Sequence, residues 1–176
     1  MLTGALTRFA FVGAFVNVSL QGLTALVVDD DADFRKSIAR ILRLAGAEVS
    51  VTSTVEDALQ RLEDNRWDVV VSDIGMPRLS GYDLIRQARE RGHCVPMIAV
   101  TGFDTLEHRR QISRHGFAYH LTKPFDPDHL VALVGETVRR EAMRQHSGAL
   151  VHECRALTSP GLESLDVVHA APTLMG

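Results

Sequence analysis

The chain has 176 residues, of which 45% are hydrophobic and 23% charged, and a net charge of -3. That suits one globular domain with room for unpacked ends, and the slight acidity argues against a general nucleic-acid binder, which carries a basic stripe. The two cysteines, Cys94 and Cys154, form no CxxC pair and no disulfide framework, which fits a reducing, cytoplasmic setting.

The first 22 residues read as an N-terminal extension. Their apolar run is shorter than the roughly 20 residues of a membrane span, and no convincing small-residue cleavage site marks a signal peptide. FVNVSL alternates as a strand does, which suits a packed extension or a remnant of a preceding domain. From Leu23 the pattern becomes regular. Leu26, Val27 and Val28 form a short buried strand. Phe34, Ile38, Ile41, Leu42 and Ala45 recur at helical spacing, and Gly46 stops that helix. Val49 and Val51 mark an edge strand, and Val55, Ala58, Leu59 and Leu62 a second helix. Val69 to Val71 form a third strand that ends at Asp73. Pro77 and Gly81 interrupt the loop after it, and Leu84, Ile85 and Ala88 begin a third helix. Met97 to Val100 is a fourth strand ending at Thr101. Asp104 to His115 reads as a helix with a thin apolar face. Tyr119 to Leu121 is a fifth strand ending near Lys123, and Leu130, Leu133, Val134 and Val138 mark the last helix. Beyond about Arg144 the periodicity fades, and residues 145–176 read as a flexible tail.

Strands that are apolar throughout and alternate with helices imply an α/β fold, a parallel sheet covered on both faces. Such sheets bind ligands at the carboxyl ends of their strands. Asp29 and Asp30, then Asp73, Thr101 and Lys123 all stand at such ends, so four of the five expected strands deliver a polar group to one rim. Clustered carboxylates call for a counter-cation. Oxygen ligands without paired Cys or His favour Mg2+ over zinc. Asp31 reads instead as the N-cap of the first helix. Asp73 can attack a phosphoryl group and form an acyl phosphate. Lys123, the Thr101 hydroxyl and nearby backbone amides can surround the transferred oxygens.

VVDDD, SDIGMPRLSGYDLI, IAVTG and LTKPF, in that order, resemble the receiver domain of bacterial two-component response regulators over residues 23–140. The resemblance implies a flavodoxin-like, doubly wound five-stranded sheet of order 2-1-3-4-5 with about five helices. It implies Mg2+ on Asp29, Asp30, Asp73 and the Gly75 carbonyl, with Asp73 as phosphoacceptor. Thr101 and His120 match the switch residues, and Pro124 matches the proline that follows a cis peptide bond, an isomer largely confined to X-Pro. His120 replaces the commoner Tyr or Phe, which adds a titratable ring. Phe103 lies where side chains tune water access to the acyl phosphate. The implied phosphodonor is a histidine kinase or histidine phosphotransfer protein, and the implied output is a changed surface on the fourth helix, fifth strand and fifth helix.

Two other functions compete. A haloacid-dehalogenase-like phosphatase would use Asp29 as nucleophile and Asp31 as acid/base, but the cap region and late acidic motif of that class are not seen. A phosphorylation-independent docking module is the other. No separate catalytic domain, nucleotide-binding loop, zinc spacing around His152 and Cys154, or nucleic-acid contact is read from the chain. The expectation is therefore a receiver that is not an enzyme beyond its own phosphorylation and dephosphorylation. It would act by protein contact on an unknown partner. The SDIGMP and GYDLIR wording is similar to receivers of hybrid histidine kinases.

Overall fold

The computed structural model describes residues 18–103 and 105–146. The expectations for 1–17 and for the tail from residue 147 lie outside the described residues. The elements in chain order are β1 (Thr24–Val28), α1 (Ala32–Leu44), β2 (Glu48–Thr52), α2 (Val55–Asp64), β3 (Val69–Asp73), α3 (Gly81–Glu90), β4 (Met97–Thr101), α4 (Leu106–Arg114), β5 (Tyr119–Thr122) and α5 (Pro127–His146). The strands form one sheet of order β2-β1-β3-β4-β5, and every neighbouring pair is parallel. Fold class, sheet order and the five helices agree with the expectation.

Because side chains alternate across a strand, the sheet feeds two separate cores. Leu26, Val28, Val70, Met97 and Ala99 pack on one face with buried residues of α2, α3 and α4. Ala25, Val27, Val69, Val71, Ile98, Val100 and Leu121 pack on the other with α1 and α5. β3 and β4 are buried along their whole lengths, as the central strands of a two-faced sheet must be. At the edge, β2 is half-exposed.

The helices begin where side chains can satisfy their free amides. Asp31 accepts from the backbone amides of Asp33 and Phe34 at the start of α1. Thr54 and Thr105 do the same for α2 and α4. Ser80 and Asp83 form a reciprocal capping box on α3. The buried residue that α4 contributes is Ile112, in keeping with its thin apolar face.

The core begins earlier than Leu23. Leu20 is fully buried, its amide donates to the Ala45 carbonyl at 2.8 Å, and its carbonyl accepts from Leu23 at 3.1 Å. Val18 packs on the same core and lies against Gly135 of α5 so closely that a Cβ there would sit 2.6 Å from Val18 Cγ1. Cys94, in the turn between α3 and β4, is disulfide-bonded. The expectation of no disulfide framework and a reducing setting is therefore corrected: the spacing of the cysteines carried no signal of a bridge. No helix among the described residues is long and apolar enough to cross a membrane.

Candidate functional site

Five parallel strands bring their carboxyl ends to one pole, and each expected site residue can be located there. Asp29 follows β1, Asp73 closes β3, Thr101 closes β4, and Lys123 follows β5. Asp29, Asp73 and Thr101 are 1%, 8% and 3% exposed, whereas Asp30 is exposed. Hydrophobic strands carry the polar groups into the protein, and backbone bonds fix their heights. The Asp29 amide donates to the Thr52 carbonyl at 3.2 Å, that of Ile74 to Val100 at 3.0 Å, and that of Lys123 to Thr101 at 2.7 Å.

Lys123 joins the two buried acids. Its Nζ lies 2.8 Å from Asp29 Oδ2 and 2.8 Å from Asp73 Oδ1. The remaining oxygens are also engaged. Asp29 Oδ1 accepts from the Asp31 amide at 2.9 Å, and Asp73 Oδ2 from the Gly75 amide at 2.6 Å. Burial pushes the Asp29 carboxyl above the ordinary carboxylate range. The bond and charge of Lys123 oppose that push only in part, and the Asp73 charge adds to it. Burial also works against the Lys123 ammonium, but its bonds to Asp29 and Asp73, together with their charges, hold its pKa above the usual lysine value. The lysine stays charged, and Asp29 is the group whose ionisation is costly.

Several neighbours set this geometry. Gly81 opens α3 directly behind Asp73, where an added Cβ would run into the Asp73 carbonyl oxygen. Thr101 Oγ1 accepts from the Phe103 amide at 3.1 Å. His120 lies on β5 in register with Ala99 and is half-buried. The Lys123–Pro124 peptide bond is cis, as the resemblance implied.

Two groups at this pole were not recognised from the sequence as site residues. Arg35 Nη1 donates to the Asp29 carbonyl at 2.5 Å and to the Asp30 carbonyl at 3.3 Å, bracing the backbone that carries the acids. Phe34 places its ring centroid 4.2 Å from Lys123 Nζ. In the sequence Phe34 registers only as the first apolar position of a helix. Nothing local says that it will face a lysine 89 positions further on.

The donor chemistry fits a hard divalent cation: the site is lined by carboxylates, one so buried that its charge lacks full compensation. With Lys123 between Asp29 and Asp73, no group of three or more Asp, Glu, His or Cys among the described residues is arranged to hold a metal ion.

The sequence model of the response regulator receiver domain matches residues 25–135. The chain belongs to that family, the phosphoacceptor signalling modules of two-component systems. It is 40% identical over 118 residues to a 14.6 kDa protein from the sodA1 3′ region of Leptolyngbya boryana, covering 66% of this chain and 90% of that one. It is 36% identical over 115 residues to the response regulator MprA of Mycobacterium sp. strain KMS, covering 65% of this chain and 50% of that one. The chain thus spans about half the length of that relative. Among solved structures, the receiver domain of Francisella response regulator 1452 aligns with a TM-score of 0.65 at 29% identity, covering 68% of this chain and 98% of that one. The BeF3-activated DrrB receiver domain aligns with a TM-score of 0.61 at 30% identity, covering 67% and 98%.

Proposed function

We propose that Asp73 accepts a phosphoryl group from phosphohistidine on a histidine kinase or histidine phosphotransfer protein. The observation that carries this reading is the placement of Asp73. It is nearly buried at the carboxyl pole, with one oxygen on the Lys123 ammonium and the other on the Gly75 amide. The donor's P–N bond breaks with the electron pair leaving on nitrogen, and a bond forms from an Asp73 carboxylate oxygen to phosphorus. Lys123 is already within hydrogen-bond reach and turns its charge to the phosphoryl oxygens. The Thr101 hydroxyl leaves its Phe103 amide to approach them from β4. Asp29, Asp30, Asp73 and the Gly75 carbonyl would hold Mg2+, which supplies positive charge to the phosphoryl oxygens when bound. Arg35 keeps the acidic pair's backbone in place meanwhile.

The output reading follows from how α4 is attached. With Ile112 as its buried residue, α4 is the helix that moves with least loss of core. Movement of Thr101 and His120 then changes the α4-β5-α5 surface presented to a protein partner, the signalling role expected from the resemblance. A phosphatase with Asp29 as nucleophile is disfavoured, because Asp31, which would be its acid/base, caps α1 instead and has its pKa lowered by the Phe34 and Asp33 amides it accepts from.

Intact mass after incubation with Mg2+ and acetyl phosphate tests the proposal. One added phosphoryl group, absent without Mg2+ and absent in Asp73→Asn, is expected. Phosphate release that survives Asp73→Asn but stops in Asp29→Asn would instead establish the phosphatase. An unmodified chain with no turnover would leave a docking module.

A further inference from the structure

The ammonium of Lys123 has three visible neighbours. Two are the carboxylates of Asp29 and Asp73, each at 2.8 Å. The third is the ring of Phe34, with its centroid 4.2 Å from Nζ, inside the range at which an aromatic face attracts a cation. Lys123 is only partly exposed, so the attraction acts in a partly desolvated place where it is stronger than on an open surface.

Phe34 is held from two sides. Its backbone amide donates to Asp31 Oδ1 at 3.1 Å, so the N-cap that starts α1 also fixes where this residue begins. Its ring lies 6.4 Å from that of Phe125, tilted by 59°, in aromatic contact range. Phe125 comes two residues after Lys123, just past the cis bond. The third aspartate of the DDD run, α1 and the β5–α5 loop thus converge to place one ring over one ammonium.

We infer that Phe34 is a positioning residue for Lys123, holding the ammonium at the site by a cation–π contact while its acidic partners change. The inference rests on the receiver reading. In that reading Lys123 has to give up its bond to Asp29 and re-aim from the Asp73 carboxylate to a phosphoryl oxygen. Hydrogen bonds to carboxylates are directional and are lost when the lysine turns. Attraction to a ring face has no donor to satisfy and persists through such a pivot. A third carboxylate in place of the ring would compete with the phosphoryl group for the same charge. An aliphatic side chain would fill the space but supply no attraction.

The test uses the full chain with Phe34→Leu, Phe34→Trp, and a series in which Phe34 carries one, three or five ring fluorines, which weaken the ring face stepwise at nearly constant shape. Phosphorylation by acetyl phosphate with Mg2+ is followed by mass, and the Lys123 ε-methylene proton shifts by NMR in the metal-free protein. Thermal unfolding is recorded for each variant to separate folding defects. The expected result is phosphorylation slowed about two- to tenfold in Phe34→Leu and in the five-fluorine variant. Intermediate rates are expected in between, with near wild-type rates in Phe34→Trp. The ring-current displacement of the Lys123 protons should be present in the wild type and lost in Phe34→Leu. Rates that ignore fluorination while the wild type is phosphorylated normally would overturn the role of Phe34 alone, as would undisplaced Lys123 protons in the wild type. A wild-type chain that accepts no phosphoryl group would overturn the receiver reading and this role with it.

Discussion

Leu20→Ala should destabilise the domain as severely as a substitution in the middle of the sheet, although residue 20 precedes the first strand. Leu20 is fully buried, and its side chain lies among residues of β1, α1 and α5. Its backbone bonds to Ala45 and Leu23 keep the segment in place when the side chain is cut back, so the cavity cannot easily close. Leucine-to-alanine changes at such sites cost about 2.7–5 kcal/mol, and about 3 kcal/mol is expected here. For the roughly 130 described residues the unfolding entropy near the midpoint is about 0.27 kcal/mol per kelvin, so the melting temperature should fall by about 10 °C. Urea and thermal unfolding of Leu20→Ala, with Leu44→Ala as the exposed control, measure this directly. Leu44 is 78% exposed and its truncation should cost under about 0.5 kcal/mol. A chain starting at Leu23 should be less stable than one starting at Val18 by at least the loss seen in Leu20→Ala. A loss below about 1 kcal/mol for Leu20→Ala would refute the argument that the domain is built from residue 18 onward.

The remaining predictions concern the site and its supports. Asp29 has a raised pKa, so its protonated form is favoured by folding. Its contribution to stability is complete below the unfolded value of 3.8 and is lost as pH rises through the higher folded value. Asp29→Asn should therefore melt higher than the wild type at neutral pH without Mg2+, and thermal scans with and without Mg2+ should show that it gains less from the ion. The reverse order of melting would contradict the desolvation argument. Gly81→Ala should cost more than about 2 kcal/mol and slow phosphorylation, because its methyl group meets the Asp73 backbone rather than a side chain that can turn away. Unfolding and intact-mass kinetics on one preparation would check both effects. Asp83 caps α3 with its pKa lowered by the Ser80 backbone amide and then by the Ser80 side chain, so its support should hold above pH 3.8 and fade as pH falls through the lowered value. Two-dimensional NMR titration of α3 amides would show this, and the same fading in Asp83→Asn, which has no carboxyl to titrate, would count against it.

Sequence legibility followed the period of the apolar residues. β1, β3 and β4 are apolar on both faces because both faces are covered, and such runs are visible in any single sequence. The order of the strands is not written in any local pattern; it came with the ordered motifs. Leu20 escaped because Gln21 and Gly22 separate it from β1, and a local reading takes such a break as a boundary. Asp73 and Lys123 were found because each ends an apolar run with a charge. Phe34 and Arg35 were not, because their roles depend on which strand end α1 leans over, a matter of tertiary packing. The reach of α5 to His146 was also partly hidden, since its last turns carry Arg, Glu and Gln and show little apolar face.

All five strands run the same way, so the sheet has a chemical pole and an opposite pole where β3 and β4 begin. The turns at that second pole supply none of Asp29, Asp73, Thr101 or Lys123. At Gly92, with φ of 84°, an added Cβ would meet nothing within 4 Å, so this turn stands clear of the packed core. Loops of this kind are where new chain ends and inserted domains are accepted. A reporter grafted there would be wired to the phosphorylation site through the sheet alone, with no loop of its own near the acids. Such a graft would separate signals carried by the packed strands from those carried by the surface of α4.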